Sequence, residues 1–231
     1  MKRNPFANLL NSGDDRQELD TRKKLVMWWQ NLWIDKFFAI RDLYKHALTV
    51  IPDKKIIREI SINSILDIEP FYPSYIFNKT PVLVHAPTDP LVKGSRYVDK
   101  GIDELRSEGY IFKYIRLKNV TNIEAKRIYK EADIIIDQLL IGAHGVLAIE
   151  GMYYGKPVFC YLTDDFVMDN RGCPVVNCNI DTFKDKLAWL LDHPEEMVRI
   201  GKEGRAYVEK NYDPAEINAK VVELYREMYE R

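Results

Sequence analysis

The sequence is poor in cysteine, and the few cysteines it has do not form a recognisable framework. They are Cys160, Cys173 and Cys178. An odd and small number, in a chain that starts without the apolar core of a signal peptide, argues against a disulfide framework and fits a reducing cytoplasm. Cys173 and Cys178 are too far apart for a CxxC pair, and no second pair accompanies them. We therefore expect no zinc site.

The sequence also lacks an excess of either charge and any long apolar run. Its 34 Lys and Arg residues are balanced by 35 Asp and Glu residues, which gives a net charge of -1. Without a basic excess to neutralise phosphates, a general nucleic-acid binder is not expected. No apolar run approaches the length of a membrane-spanning helix. These properties predict an ordinary soluble, cytoplasmic protein.

The N-terminal part of the chain predicts a helical segment followed by a linker. Apolar side chains recur near a 3.6-residue period over 21–45, which predicts an amphipathic helix. A short strand is predicted at 47–51, and the three prolines within 69–81 predict a linker. We therefore divide the chain into a partial, mostly helical segment over 1–80 and a complete domain over 81–231.

Three tryptophans of this predicted helix allow more than one interpretation. Trp28, Trp29 and Trp33 lie among basic residues. A stripe packed against a core is the ordinary interpretation and the one we favour. Peripheral contact with a membrane surface is an alternative, as is contact with a second copy of the chain or with a partner subunit.

From residue 81 onward, predicted strands alternate with predicted helices. This alternation predicts a doubly wound, Rossmann-like parallel sheet of the α/β class, in which ligands bind at the carboxyl ends of the strands. The predicted strands are 82–85, 110–117, 134–136 and 158–161. The predicted helices are 95–108, 123–131, 146–154, 181–192, 195–211 and 214–230.

One strand-to-helix connection has the features of a phosphate site. A glycine at position 145 lets a ligand approach the backbone, and the free N–H groups of Val146 and Leu147 then lie at the positive end of the helix dipole. Glu150 would stand near the start of this helix as an acceptor for a ribose diol. A plain connection with a dipole-stabilised glutamate explains the same residues equally well.

A lysine in the loop after the first predicted strand of this domain, 82–85, predicts a second contact to phosphate. Lys93 precedes Gly94 and the helix predicted over 95–108, so it lies at the same edge of the sheet as Gly145. A lysine there can act as a point charge against a diphosphate. The alternative is a solvated surface lysine. Arg96 is a weaker candidate for the same role.

These motifs resemble the C-terminal, nucleotide-sugar-binding domain of the group 1 (family 4-like) GT-B glycosyltransferases. The resemblance extends over roughly 150 residues, the size of one domain. The matching segments are VKGSRYVDKGIDEL (92–105), IYKEADIIID (128–137), GVLAIEGMYYGKPVFCY (145–161) and HPEEMVRIGKEGRAYVEKNYDPAEI (193–217).

The resemblance assigns a role to each candidate. The second glutamate of the family's E-x7-E pair binds ribose and falls on Glu150. The helix-start amides that hold the diphosphate fall on Gly145, Val146 and Leu147, and the diphosphate lysine falls on Lys93. In this family, that set of contacts meets the diphosphate charge without a bound metal, so we expect no cofactor.

Two departures from the family pattern concern the site. The first glutamate of the pair, which holds the donor sugar, is replaced by Gly142. The arginine that usually precedes the lysine is absent, and His85 or Thr88 could substitute for it. A third departure is length, because about 80 residues stand where the family has a whole acceptor-side domain. A fragment, a split gene product or a remodelled short form would each explain it.

Two further groups of residues have an ordinary interpretation and a functional one. His144 lies in the predicted phosphate loop, but we favour an exposed or packed histidine. Thr163, Asp164 and Asp165 follow a strand and could suggest a metal site. We favour loop or helix-capping roles for them.

The resemblance implies a retaining enzyme that transfers a hexose from a nucleoside diphosphate sugar to a glycan, lipid or protein acceptor. Two alternatives stay open. The chain could be a nucleotide-sugar-binding module that acts only with a separately encoded acceptor-binding partner. It could also be a decayed pseudoenzyme that serves as a scaffold.

Overall fold

A computed structural model describes residues 37–38, 56–57, 71–169 and 172–230. Contacts between Cα atoms divide the chain into two units, Met1–Ile62 and Asn63–Arg231.

In the first unit, strand β1 (Phe37–Phe38) pairs in parallel with strand β2 (Ile56–Ile57). The prediction of a continuous helix over 21–45 is therefore wrong at Phe37 and Phe38. Aromatic residues favour strands, and the period of a short apolar run does not distinguish a buried strand from a helix. The rest of that predicted helix, the strand predicted at 47–51 and the three tryptophans lie outside the described residues.

In the second unit, the described strands form one sheet in which all five run parallel, in the order β4-β3-β5-β6-β7. This confirms the predicted Rossmann-like parallel sheet. Strand β7 was not predicted, because two residues carry too little periodicity to be recognised. The strands are β3 (Val82–His85), β4 (Lys113–Arg116), β5 (Ile134–Gln138), β6 (Val158–Cys160) and β7 (Val176–Asn177).

The helices of this unit follow the predicted ones closely, apart from one that was not predicted. That helix, α4, has six residues, too few for a helical period to repeat. The helices are α1 (Ser95–Ser107), α2 (Asn122–Glu131), α3 (Val146–Tyr153), α4 (Asp164–Asp169), α5 (Phe183–Asp192), α6 (Pro194–Asn211) and α7 (Pro214–Tyr229).

Helices cover both faces of the sheet, and a separate core fills each side. Alternate residues of a strand point to opposite faces, so Val84 and Ile135 pack with α2 and α3 on one side. Leu83 and Ile136 pack with α1 and α5 on the other side. Strand β5 is buried on both faces, which explains the uninterrupted apolar run that predicted it.

The described segment before β3 belongs to the second unit and packs against the end of α3. The Phe71 ring meets the Tyr154 ring edge-on with centroids 5.0 Å apart. A Cβ atom added at Gly155 would lie 2.7 Å from Pro73 and 3.0 Å from Tyr75. Pro73, one of the prolines that predicted a linker, therefore belongs to a segment that packs on the C-terminal end of α3.

The strand order creates a crevice between β3 and β5. The chain leaves β3 to form β4 on one side of it, and then returns to form β5 on the other side. The connections that follow β3 and β5 therefore diverge at the carboxyl edge. In a doubly wound sheet with this order, ligands bind at this point.

Candidate functional site

The loop after β3 fixes the backbone of Lys93. The Asp89 carboxylate accepts hydrogen bonds from the backbone N–H groups of Leu91 (2.9 Å) and Val92 (3.3 Å), and the Asp89 carbonyl accepts one from Lys93 N (2.9 Å). The Lys93 carbonyl in turn accepts from Leu139 N at 3.1 Å, which ties this loop to the one after β5. Lys93 thus occupies a defined place in the crevice.

The Lys93 ammonium group is paired with a buried carboxylate at the end of β5. Its Nζ atom lies 2.5 Å from Asp137 Oδ1, and the side chains are 13% and 0% exposed. Asp137 Oδ2 accepts a hydrogen bond from Gly145 N at 2.8 Å. Lys93 is therefore not a solvated surface lysine. Sequence reasoning missed Asp137 as a site residue, although a carboxylate that directly follows a buried strand was the available signal.

The neighbouring Gln138 holds the loop after β5 in one conformation. Its Oε1 atom accepts hydrogen bonds from Leu140 N (2.8 Å) and Ile141 N (2.6 Å). Its Nε2 atom donates to the carbonyls of Ala143 (2.9 Å) and Tyr161 (2.7 Å). This side chain is fully buried, so its hydrogen bonds fix the path of the loop.

Gly142 lies where the resemblance implies a glutamate, and its backbone conformation accounts for the glycine. Its φ angle is +86°, which side chains of L-residues rarely adopt. A Cβ atom there would lie 2.6 Å from Thr163 Cγ2. The Gly142 carbonyl also accepts a hydrogen bond from Thr163 N at 2.8 Å. The loop therefore has no room for the family glutamate in this conformation.

The start of α3 presents free amide groups next to Lys93. Within the described residues, the N–H groups of Val146 and Leu147 have no acceptor, as is usual for the first residues of a helix. They form its positive end. A Cβ atom at Gly145 would lie 3.2 Å from Lys93 Nζ, so glycine leaves open the space that the amides and the lysine share. The structure thus brings these predicted residues together.

Glu150 occupies a different environment from the expected one. It is the fifth residue of α3, beyond the first turn, and it is only 8% exposed. The pKa of Tyr129 is raised mainly by burial, and the negative charges of Glu150 and Asp137 raise it further. Glu150 therefore lies near Tyr129 inside the domain, and its role as a ribose acceptor stays a prediction.

A cleft of about 560 Å³ opens beside these residues at the carboxyl ends of β3 and β4. Tyr129 is part of its wall, so Glu150 lies close to it. The volume is within the range of small-molecule sites. The lining comprises Ala86, Pro87, Thr88, Pro90, Leu117, Lys118, Asn119, Val120, Thr121, Asn122, Ala125 and Tyr129.

Of the suggested substitutes for the missing arginine, only Thr88 lines the cleft. His85 is fully buried, with Nδ1 2.9 Å from the Ile136 carbonyl and Nε2 2.8 Å from Ser95 Oγ. Burial lowers the pKa of His85 below its usual value, which favours the neutral ring. The weaker candidate Arg96 lies on α1, where its guanidinium group lies 4.4 Å from the centre of the Tyr97 ring.

The remaining candidates have structural contacts. The His144 ring meets the Phe166 ring edge-on at 5.0 Å, and His144 Nε2 lies 3.1 Å from the Tyr212 hydroxyl. Thr163 caps α4, since its Oγ1 and carbonyl accept from Phe166 N and Val167 N. In the described part of the chain, no group of three or more His, Cys, Asp or Glu side chains is placed to hold a metal ion.

Exposed aliphatic side chains surround the crevice. They come from the connections after β3, β5 and β6, which all lie at the carboxyl edge. They are Leu91, Val92, Leu140, Ile141, Val146, Val167 and Met168, and we call them the aliphatic rim. Helices with the length and apolarity to cross a membrane are absent from the residues that the structure describes.

Sequence comparisons give no match, whereas solved structures match well. No family model and no curated protein matches the chain. TarM from S. aureus, crystallised as a mutant with fondaparinux, alpha-GlcNAc-glycerol and UDP, superposes with a TM-score of 0.68 at 14% identity, over 89% of this chain and 46% of TarM. Sucrose-phosphate synthase from Thermosynechococcus elongatus gives 0.67 at 14% identity, over 97% of this chain and 65% of that enzyme.

A third structure, HepE from Anabaena in complex with UDP, gives a TM-score of 0.60 at 12% identity, over 90% of this chain and 68% of HepE. The chain has the fold of a GT-B glycosyltransferase domain. This confirms the fold that the sequence resemblance implied. The chain spans about half to two thirds of the length of TarM and the synthase, at 46% and 65%.

Proposed function

We propose that this chain binds a nucleoside diphosphate sugar and transfers its hexose to an acceptor with retention. The observation that carries the proposal is the shared space between Lys93 and the free amides of Val146 and Leu147. This space lies at the crevice where doubly wound sheets bind ligands, and a cleft of about 560 Å³ opens at the same edge of the sheet. The GT-B fold and the UDP complexes of TarM and HepE support this choice of ligand.

In this proposal the diphosphate lies against Gly145, Val146, Leu147 and Lys93. The ribose reaches towards Glu150, and the base enters the cleft between the loops after β3 and β4. The arrangement orders these contacts along the carboxyl edge from β5 to β4. Glu150 accepts hydrogen bonds from the ribose hydroxyl groups, as the resemblance implies.

The reaction moves the sugar from a phosphate oxygen to an acceptor oxygen. The bond between the anomeric carbon and the phosphate oxygen breaks, and a bond to the acceptor hydroxyl oxygen forms while the hydroxyl proton passes to solvent. Negative charge then grows on the leaving diphosphate. The start of α3 stabilises this charge, while Lys93 contacts the diphosphate of the bound donor, so we propose that no resident metal is required.

A specific observation favours a second candidate, a donor-binding subunit that acts with a separately encoded partner. The aliphatic rim places seven exposed apolar side chains in the connections at this edge, and exposed apolar surface of this kind marks interaction sites. The GtfA/B structure, described as a complex, gives a TM-score of 0.59 at 13% identity, over 89% of this chain and 48% of that one. A glycan, lipid or protein acceptor, a cytoplasmic location and contacts through Trp28, Trp29 and Trp33 remain predictions.

Calorimetric titration with UDP, GDP and ADP tests the donor site. We expect one diphosphate to bind and to raise the melting temperature, because a ligand that binds only the folded chain stabilises it. The matching nucleoside, which lacks phosphate, should do little. If no nucleoside diphosphate binds at millimolar concentration, the proposal is wrong. Sugar release from the donor by the isolated chain would favour the enzyme over the donor-binding subunit.

Glu150→Gln tests the ribose contact. The variant keeps the size of the side chain and loses its charge, so it should bind the ribonucleotide less tightly by about 1.5–3 kcal/mol. The same substitution should weaken binding of the 2′-deoxy and 3′-deoxy analogues less, because each analogue lacks one hydroxyl group that donates a hydrogen bond to Glu150. For each deoxy analogue, the two proteins titrated with the ribonucleotide and with that analogue form a double-mutant cycle. A coupling energy of zero in a folded variant would remove Glu150 from the site.

A further inference from the structure

Asp137 places a negative charge inside a site that we propose for a diphosphate. The carboxylate is fully buried and contacts both elements proposed to bind phosphate. Its Oδ1 atom accepts a hydrogen bond from Lys93 Nζ at 2.5 Å, and its Oδ2 atom accepts one from Gly145 N at 2.8 Å. Lys93 comes from the loop after β3 and Gly145 from the loop after β5. Asp137 therefore holds the lysine and the helix start together.

The opposite charges of this pair lie at nearly the same distance from the start of α3. The Cβ position of Gly145 is 3.2 Å from Lys93 Nζ, and 3.3 and 3.5 Å from Asp137 Oδ2 and Oδ1. The pair adds no net charge there. Each further negative charge on a ligand is attracted by the lysine but repelled by a carboxylate that solvent screens poorly. Only the helix start attracts it without opposition.

We propose that Asp137 makes this site discriminate between ligands by their charge. It holds the diphosphate diester of a nucleotide sugar in preference to the same nucleotide with a free terminal phosphate. The inference rests on the proposed function. At neutral pH a nucleotide sugar carries two negative charges on its diphosphate, whereas the free nucleoside diphosphate carries close to three.

This discrimination has a direct consequence for turnover. Transfer of the sugar converts the diester into a free terminal phosphate, which adds negative charge while the protein stays the same. The site that accepted the donor then binds the product less well. Asp137 thus acts as a specificity-determining residue that promotes release of the nucleoside diphosphate.

A purely structural role for Asp137 predicts a different result. If the carboxylate only positioned Lys93 and Gly145, its removal would weaken donor and product binding alike. The charge role predicts that Asp137→Asn, which keeps the shape and one acceptor oxygen, improves binding of the product relative to the donor. The ratio of the two dissociation constants separates these roles.

The experiment uses the full chain and three ligands: UDP, UDP-glucose and the β-methyl ester of UDP. The ester has the charge of the sugar nucleotide without the sugar, so it separates charge from sugar contacts. We expect the wild type to bind the ester more tightly than UDP. In Asp137→Asn, the affinity for UDP relative to the ester should rise on the order of tenfold.

Asp133→Asn is the matched control. Asp133 is also a buried carboxylate, and it lies just before β5. It accepts hydrogen bonds from Val82 N and from the Asn78 side chain at the other edge of the sheet. In this control, the affinity for UDP relative to that for the ester should equal the wild-type value. If the wild type binds UDP as tightly as the ester, the inference is overturned by the wild type alone. It is also overturned if folded Asp137→Asn binds UDP, relative to the ester, with the same affinity ratio as the wild type. A wild type that binds none of the three ligands contradicts the proposed donor site for UDP itself.

Discussion

Three polar side chains at the carboxyl ends of β3 and β5 are fully buried, and each one holds backbone or a charged group in place. His85 bridges Ile136 and Ser95, Asp137 bridges Lys93 and Gly145, and Gln138 closes its own loop. A buried polar group that loses its partner costs about 1–3 kcal/mol. Substitutions here therefore change stability and site geometry together, and both must be measured.

Gly142→Ala should destabilise the chain more than Gly109→Ala does. Both glycines have positive φ angles, +86° and +94°, so both variants carry the same kind of backbone strain, about 1–2 kcal/mol. Only the alanine at 142 meets a neighbour, Thr163 Cγ2 at 2.6 Å, whereas nothing lies within 4 Å of the other. We expect an additional loss of about 1–3 kcal/mol in the free energy of unfolding.

Chemical denaturation of both variants measures this difference. Thr163→Ser removes the clashing methyl group and should restore most of the additional loss when combined with Gly142→Ala. Equal losses at the two glycines would mean that the loop relaxes freely. A glutamate could then be accommodated at position 142 after all.

The pH dependence of stability should contain a contribution from His85. Burial lowers the pKa of His85 in the folded chain, so between the folded and unfolded pKa values the unfolded chain binds more protons. Stability is then complete above the unfolded pKa, about 6.5, and is lost as the pH falls towards the folded pKa. One such group contributes at most about 1.4 kcal/mol per pH unit.

Urea denaturation of wild type and His85→Asn at about pH 7.5 and 5.5 isolates this contribution. The variant should be less stable at both pH values, but it should lose less stability on acidification than the wild type. The other three histidines are unchanged and cancel in the comparison. Parallel pH dependences would show that His85 titrates alike in the folded and unfolded chains.

Among the helices, the contact between α3 and α6 fixes the position of the proposed site, since α3 carries Val146, Leu147 and Glu150. Gly201 of α6 lies against the turn that follows α3, where an added Cβ would be 2.2 Å from the Gly155 carbonyl oxygen. Gly204, one turn later, faces Met152. The two helices approach closely because glycines occupy the contact.

Gly201→Ala should destabilise the chain, whereas Gly204→Ala should be tolerated. At 201 the new methyl group meets backbone and forces the helices apart, which costs about 1–3 kcal/mol. At 204 it meets the Met152 Cγ atom at 3.1 Å, and a methionine side chain can move. Alanine also favours a helix over glycine by up to about 1 kcal/mol.

Thermal and urea denaturation compare the two variants, and nucleotide titration adds a second measurement. We expect Gly201→Ala to weaken diphosphate binding as well, because α3 moves with the contact. Similar stability for both variants would mean that α6 shifts without strain and that this contact does not fix α3.

For the whole molecule, every residue proposed to bind the donor lies in the second of the two units. The two loops proposed to bind phosphate, the cleft and Glu150 fall within Asn63–Arg231. The sheet of this unit is covered by helices on both faces. The proposed donor site therefore lies within a single unit of the chain.

A chain that begins at Asn63 should fold cooperatively and keep the nucleotide affinity of the full chain. Its length suits an independent domain, and it retains the Phe71–Tyr154 contact that covers the end of α3. Circular dichroism on heating and calorimetric titration with the nucleotide test this. A folded fragment with much weaker binding would place part of the donor site in residues 1–62.

The sequence by itself determined the alternation of strands and helices in the second unit, the start of α3 at Val146 and the common edge of Lys93 and Gly145. Those features follow from local periodicity and from where glycines fall. In the first unit the same local reasoning predicted a helix through Phe37 and Phe38, where the chain forms a strand, because an isolated apolar run fits either structure.

Only the tertiary structure decided the chemistry between these elements. The Lys93–Asp137 pair joins residues 44 positions apart, and the burial of Glu150 depends on the helices around it. The conflict between a side chain at Gly142 and Thr163 likewise depends on two different loops. A parallel sheet brings distant connections to one edge through crossovers, so the sequence predicted which residues share that edge, while the packing of the edge decided which of them touch.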